Sequence, residues 1–523
     1  MSIESANGAS HGCFANHVAP NFMLLAAHCF AELGAPSGWK FKIVDPPHPM
    51  VELLEPKVLF FARNGKSALH PALAPTRPTL PDLTDPTDPQ PTAPQFRPAR
   101  AAPSVNQSAG RWRAARRAVV LPAMPTEAEL VETAQKYLYP NYRQPPLVMA
   151  RGKGSVLWDS AGKRYLDLYA GIAVSTLGHN HEKLVAAITA QAQKVIHLSN
   201  YYYNEPNVLL AERLCQATGM ARAFFCNSGT EAMEAMLKLA RRHFFAAGQT
   251  ERYRVIAFQS SFHGRTLGAL AVTGQDKYRE GFGPLPGVTH VPYGDVEAVK
   301  QAMGPDVAAI LFEPIQGEGG VLPAPEGFAA ALRRIADEHG ALLLADEIQT
   351  GVGRTGRFLS VQHEGVTVDA LTLAKGLAGG VPIGAMLCGA HLADALPPGS
   401  HGTTFGGNPL ASAAALAVLQ VMEEDKLIEH AAHMGAHLAV RLAELAKKHE
   451  RLVATSRGRG LLQALVLRDG VDARGIVAAL RDAGVLITIA GGQGLRLSPP
   501  LIITKAELDE GLALIDDVLG RTP

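Results

Sequence analysis

Residues 341–385 read ALLLADEIQTGVGRTGRFLSVQHEGVTVDALTLAKGLAGGVPIGA, from Ala341 to Ala385. Two short apolar runs stand out in it, "ALLLAD" (341–346) and "DALTLA" (369–374), separated by a glycine-bearing stretch. Each is too short for a typical helix and shows no polar–apolar alternation, which is the pattern of a strand buried on both faces. The first run ends on Asp346, followed by Glu347 and Gln349; the second ends just before Lys375 and a glycine-rich turn.

The same texture extends on both sides. Candidate strands are "RAFFC" (222–226), "RVIAF" (254–258) and "VAAILFE" (307–313), alternating with amphipathic stretches at 206–218, 230–246, 326–338, 409–423 and 427–448. Strands alternating with helices predict an α/β fold around a mainly parallel sheet. Chemistry-bearing residues fall at the carboxyl ends of the strands, the edge at which open α/β sheets bind ligands.

Three of those ends complement one another. After "RAFFC" comes "NSGTEAMEAMLKLARR" (Asn227–Arg242), where Ser228 and Glu231 have capping-box spacing. Gly229 admits a ligand close to the backbone, and the free N–H groups and dipole of a helix start bind phosphate. Alone, S-x-x-E marks only an ordinary capped helix, and a strand-end lysine is usually a solvated charge. A desolvated Lys375, however, would have its pKa lowered and become an amine nucleophile suited to Schiff-base chemistry. A nearby carboxylate such as Asp346 can keep the ring nitrogen of pyridoxal 5′-phosphate protonated, so that the ring accepts electrons. Lysine, buried aspartate and phosphate-binding helix start on one sheet edge suit that cofactor.

Composition excludes other classes. The chain has 523 residues, 49 Lys+Arg against 48 Asp+Glu, and a formal net charge of +1. That balance gives no electrostatic support for binding nucleic acid or an anionic membrane. No run approaches the ~18–20 apolar residues that span a bilayer. Five scattered cysteines with no CxxC pair argue against a disulfide framework or a structural metal site, and favour a reducing, cytoplasmic setting. Ten of the 36 prolines lie in 71–103, so 62–110 is expected to be extended and mostly disordered. The basic cluster Arg111–Arg117 is read as a solvated tail. Residues 1–123 as a whole are read as a leader, either a genuine disordered appendage or, the preferred reading, an over-long reading of the start codon, because "MPTEAELVETAQKYLYPNY" from Met124 makes a natural first helix.

The sequence resembles the class III (omega) pyridoxal-phosphate aminotransferases, and among them the acetylornithine aminotransferases. The resemblance covers about 130–520 and rests on "GIAVSTLGH" (171–179), "NSGTEA" (227–232), "FHGRT" (262–266), "EPIQGEGG" (313–320), "DEIQTGVGRTG" (346–356), "LAKGLAGGVPIGA" (373–385) and "HGTTFGGNPLA" (401–411). Two positions depart from it: Glu182 stands where proline is usual, and Met233 where asparagine is usual. It implies fold type I, with a large cofactor-binding domain (176–400) and a smaller α+β domain built from an N-terminal part (124–175) and a C-terminal part within 401–523, which also carries a dimer-contact segment.

The resemblance also implies roles. Lys375 would hold the cofactor covalently and move the proton at the substrate carbon. Asp346 would pair with the ring nitrogen and Gln349 would approach the phenolic oxygen, with Glu347 beside them. Phe262 would stack on the ring, Ser228, Gly229 and Thr230 would hold the phosphate, and Thr404 would reach the phosphate of a partner subunit, making the active unit a homodimer. Arg265 would grip a distal carboxylate and Arg496 an α-carboxylate, with Glu318 closing on Arg496 when the donor has none; Thr403 would also line the substrate site. Ile172 occupies the place of a tyrosine in ornithine aminotransferases, and an apolar residue there suits an acylated amine better than an ammonium. The expected reaction is therefore N2-acetylornithine plus 2-oxoglutarate giving N-acetylglutamate 5-semialdehyde plus glutamate, as in arginine biosynthesis. Succinylornithine, succinyl-diaminopimelate, ornithine or 4-aminobutyrate are alternative donors.

Two rivals are more distant. Gly351–Gly356 matches GxGxxG, the mark of an NAD-dependent oxidoreductase, but these glycines do not directly follow a strand or open a helix. A pyridoxal-phosphate aminomutase or racemase would share Lys375 and Asp346 but would not need Glu318 and Arg496 as a switching pair.

Overall fold

The computed structural model describes the short strands Ser2–Glu4, Ser10–Gly12 and Ile43–Val44 and then residues 125–523. The chain divides into two units, Met1–Arg116 and Arg117–Pro523. In the first, the three strands pair antiparallel with Ser2–Glu4 in the middle. The remainder of the expected leader, including the proline-rich run and Arg111–Arg117, lies outside the described residues.

Seven strands organise the second unit: β1 (Arg222–Cys226), β2 (Arg254–Phe258), β3 (Val288–Val291), β4 (Val307–Phe312), β5 (Leu342–Asp346), β6 (Ala370–Leu373) and β7 (Gly384–Cys388). Their spatial order is β1-β7-β6-β5-β4-β2-β3. Every neighbouring pair is parallel except the two that involve β7. The continuous apolar runs have their expected cause: every residue of β4, β5, β6 and β7 is buried, because helices cover both faces. The helix α1 (Gly229–Ala246) covers one of them. It sets Met233, Met236, Leu239 and Phe244 against Val255, Ala257, Leu311 and Leu344 of the sheet. Full burial of side chains of this size stabilises by about 1.5–3 kcal/mol each. Met233, where the family usually has asparagine, is thus an apolar residue in an apolar cluster.

A smaller α+β region joins the two ends of this unit. Strands Met149–Lys153, Val156–Asp159 and Arg164–Asp167 form an antiparallel meander, and Val485–Leu486 pairs parallel with the last of them. Beside it lies an antiparallel sheet of β8 (Val453–Arg459), β9 (Leu462–Leu467), β10 (Thr488–Ala490) and β11 (Gly494–Leu497), in the order β8-β9-β11-β10. Glu182 opens the helix Glu182–Lys194, where a carboxylate is favoured by the free N–H groups and the dipole.

Past Arg164–Asp167 the backbone does something its residues disfavour. Ala170, Gly171, Ile172 and Ala173 have φ of +49°, +61°, +68° and +61°, a left-handed turn. For residues with a Cβ this region costs roughly 1–2 kcal/mol each, so the three non-glycine positions hold several kcal/mol of unfavourable backbone energy. Among the described residues no helix is long and apolar enough to cross a membrane.

Candidate active site

Strands β1, β5 and β6 run in the same direction, so their carboxyl ends open on one edge of the sheet. A cavity of about 410 Å³ lies there, lined by Ser228, Gly229 and Thr230, by Phe262 and Arg265 after β2, and by Asp346, Gln349 and Lys375 after β5 and β6.

Ser228 caps α1, its Oγ accepting the Glu231 N–H at 3.3 Å. The expected capping box is only half made. Glu231 reaches past Ser228 to Asn227, accepting its backbone N–H at 2.6 Å and its side-chain Nδ2 at 3.3 Å. Two donors on one residue outcompete the single N–H of Ser228. The first-turn N–H groups of a helix have no intrahelical acceptor, which leaves them for an anion. The Thr230 hydroxyl is already engaged, accepting the N–H groups of Arg265 at 3.2 Å and Thr266 at 3.4 Å. Gly264 permits this crossing, since a Cβ there would lie 2.7 Å from Thr230 Cβ.

Asp346 is buried and triply held. Its Oδ2 lies 2.7 Å from His263 Nδ1, and its Oδ1 accepts the Ile348 N–H at 3.0 Å and the Thr372 hydroxyl at 3.3 Å. A carboxylate can only accept, so Nδ1 of His263 carries the proton. His263 is buried and its Nε2 has no partner among the described residues. Lys375 leaves β6 at φ +35°, starting the short 3-10 turn Lys375–Ala378. Burial pulls its pKa below the ordinary lysine value, while Glu318 and Asp346 pull the other way. That raises the fraction present as free amine.

Behind Gln349, which lines the cavity, Arg496 of β11 is buried and paired with Glu318; neither of these two is itself a lining residue. Its Nε donates to Thr488 Oγ1 at 3.1 Å and its Nη1 to Gln349 Oε1 at 3.3 Å. Gln349 Nε2 donates in turn to Glu318 Oε1 at 3.4 Å. Burial raises the Glu318 pKa, but Arg496 and Lys375 more than offset it and hold the carboxyl below its ordinary value. Glu313 behaves oppositely: burial, and then Asp346, push it well above the ordinary carboxylate range. Its Oε2 accepts the Phe262 N–H at 3.1 Å, fixing the loop that carries the ring.

The remaining expected site residues are more dispersed. Arg265 is exposed at the cavity edge, its guanidinium 3.9 Å from the Tyr278 ring centroid and 5.2 Å from that of Phe262. Glu347 is not among the cavity's lining residues. It is fully buried, taking the Thr350 hydroxyl and, at 2.8 Å, the Val361 N–H, so it anchors the loop beyond β5. Thr403 Oγ1 accepts from Asn227 Nδ2 at 3.4 Å, next to the helix start. Thr404 is exposed, and Ile172 is 39% exposed on the left-handed turn; neither lines the cavity of this chain. Gly351–Gly356 is a chain of turns that opens no helix, which removes the dinucleotide motif's structural context. Sequence reasoning missed His263 and Glu313, although both lie inside the blocks "FHGRT" and "EPIQGEGG".

The geometry has relatives. A family model for class III aminotransferases matches residues 137–519. An acetylornithine aminotransferase of Myxococcus xanthus is 50% identical over 382 residues, 73% of this chain and 95% of the relative. The chain belongs to the class III aminotransferases. An acetylornithine aminotransferase of Bradyrhizobium diazoefficiens is 47% identical over 388 residues, 74% of this chain and 95% of that protein. Among solved structures, the ornithine aminotransferase of Toxoplasma gondii superposes with TM-score 0.73 at 34% identity, over 76% of this chain and 95% of its own. The acetylornithine aminotransferase of Elizabethkingia anophelis gives 0.68 at 33%, over 76% and 99%. The fold is that of the pyridoxal-phosphate enzymes of this family, and pyridoxal 5′-phosphate is the cofactor.

The residues present fit that group: a helix start for the phosphate, a buried carboxylate held by His263 for the ring nitrogen, and an amine in the same cavity. When bound, the cofactor supplies an electron sink for the carbon that loses its proton. This class III chain could do the rest with its own side chains. Asp346 could keep the ring nitrogen protonated, and Phe262 could cover a ring face. Lys375 could take a proton from one carbon and return it to another. Arg265 and Arg496 could orient substrate carboxylates through paired N–H donors.

Proposed function

We propose that the protein transfers the δ-amino group of N2-acetylornithine to 2-oxoglutarate, giving N-acetylglutamate 5-semialdehyde and glutamate, a step of arginine biosynthesis. The observation that carries this reading is the buried Arg496 closed by Glu318, a pair whose charges both act on the Lys375 amine. Transamination needs one site for two unlike molecules. An ω-amine presents no carboxylate beside its reacting carbon, and Glu318 then neutralises Arg496. The acids 2-oxoglutarate and glutamate do present one, and displace Glu318. Arg265 suits the carboxylate at the far end of either substrate. The acyl preference is supported by apolar Ile172 and by the names of relatives up to 50% identical.

The reading also assigns Ser228, Gly229 and Thr230 to the phosphate, Gln349 to the phenolic oxygen and Thr404 to the phosphate of a second copy. Exposed Thr404 stands beside Phe405, 59% exposed, and the chain also exposes Tyr201, 92%, and Tyr203, 97%, an apolar surface suited to burial in a homodimer. The proposed setting is the cytoplasm. Purified holoprotein given N2-acetylornithine and 2-oxoglutarate should produce glutamate and the semialdehyde in equal amounts. No glutamate from any ω-amine would refute the reading.

A further inference from the structure

Asp167 lies at the end of the strand Arg164–Asp167 and is fully buried, away from the residues that line the cavity. Its backbone is held in the sheet by Ser155 and Leu486 and its charge faces the buried Arg354 guanidinium, while its carboxylate hydrogen bonds go to the chain that follows. Its Oδ1 accepts the N–H groups of Tyr169 at 3.1 Å and Ala170 at 2.8 Å. Its Oδ2 accepts from His179 Nε2 at 2.8 Å. His179 is itself fixed, exchanging backbone hydrogen bonds with Gly154 at 2.9 and 2.8 Å and packing where Gly152 has no Cβ.

The segment so held is the left-handed turn, which three of its four residues disfavour. It closes through the Ala173 N–H to the Tyr169 carbonyl at 2.9 Å and the Val174 N–H to the Ala170 carbonyl at 2.8 Å. Out of it come Ile172 and Val174, the latter on the cavity wall. Two residues on, Thr176 Oγ1 donates to the Gly376 carbonyl at 2.9 Å, tying the segment to the turn that starts at Lys375. A conformation this unfavourable persists only where its surroundings over-determine it. The buried carboxylate does so from one side, and Ser498, whose Oγ donates to the Tyr169 carbonyl at 3.0 Å, from the other.

We propose that Asp167 is a positioning residue for the reaction: by locking the left-handed turn Ala170–Ala173 it sets Val174 on the cavity wall and holds Ile172, which lies outside the cavity of this chain, for contact with the amino donor. This rests on the reading of Ile172 as a donor contact. The carboxylate never touches substrate; it acts through the backbone of the turn.

The test is steady-state kinetics of holoenzyme with both substrates varied. Asp167→Asn keeps an acceptor for the two N–H groups but exchanges charged hydrogen bonds for neutral ones. It should raise the donor KM about tenfold, while kcat and the 2-oxoglutarate KM stay within about twofold. Adding Ala173→Gly, which removes a Cβ from a left-handed position, should return the donor KM to within about threefold of wild type. Should Asp167→Asn not fold, His179→Gln, which loosens the strut behind the carboxylate, should still raise the donor KM about threefold. A parallel change in both KM values, an unchanged donor KM, or no recovery with Ala173→Gly would overturn the proposal. A wild-type protein inactive on N2-acetylornithine defeats the functional reading instead, and the same comparison then runs on the ω-amine it accepts.

Discussion

Replacing Glu347 by glutamine separates two roles for a carboxyl one residue beyond Asp346. A group that holds the cofactor should weaken cofactor binding when it is changed. A buried acid anchoring the following loop should instead change how stability depends on pH. Burial raises the Glu347 pKa from 4.5 to about 7, against the hydrogen bonds from Thr350 and Val361 that favour the charged form. The folded protein therefore holds this proton more tightly than the unfolded chain does. The stability this contributes is fully present below about pH 4.5 and is lost as pH rises through about 7. At about 1.4 kcal/mol per pH unit, the loss amounts to roughly 3 kcal/mol. Glutamine is neutral throughout and its oxygen can still accept the Val361 N–H. Glu347→Gln should thus match wild type near pH 4.5 and exceed it by up to ~3 kcal/mol above pH 8, with unchanged cofactor affinity. Urea unfolding across that range, with cofactor titrations alongside, measures both. A stability difference independent of pH, or a folded variant that loses the cofactor, would refute the reasoning.

Lys375→Ala should lower turnover by at least about 10⁴-fold while the cofactor still binds non-covalently; borohydride followed by mass spectrometry should then fix the cofactor to the wild-type chain but not to the variant. Glu318→Gln makes a weaker competitor for Arg496. The 2-oxoglutarate KM should fall about fivefold and donor kcat/KM should fall by a similar factor, the equivalent of ~1 kcal/mol between a charged and a neutral acceptor; effects of one sign on both half-reactions would contradict the switching pair.

What could be read in the sequence, and what could not, follows from physical causes. Strands such as Arg254–Phe258 and Leu342–Asp346 fell where continuous apolar runs placed them, since burial on both faces leaves no other pattern. The strands β3 and β7 were not read from the sequence at all, and the direction of β7 was not legible, because strand composition does not encode whether neighbours run parallel. Glu347 was taken into the site with Asp346, yet successive side chains leave the backbone in different directions, and its carboxyl serves the loop instead. His263 and Glu313 depend on partners 83 and 51 residues away, which no local spacing reveals. The left-handed turn runs against the preferences of Ala170, Ile172 and Ala173, so only Gly171 hinted at it.

The central claim concerns the amino donor, and kcat/KM for N2-acetylornithine, ornithine and 4-aminobutyrate, each with 2-oxoglutarate as acceptor, tests it most directly. The account predicts that N2-acetylornithine is preferred by at least about tenfold, since the free α-ammonium of ornithine would lose solvation beside an apolar residue. A preference for ornithine or 4-aminobutyrate would contradict it.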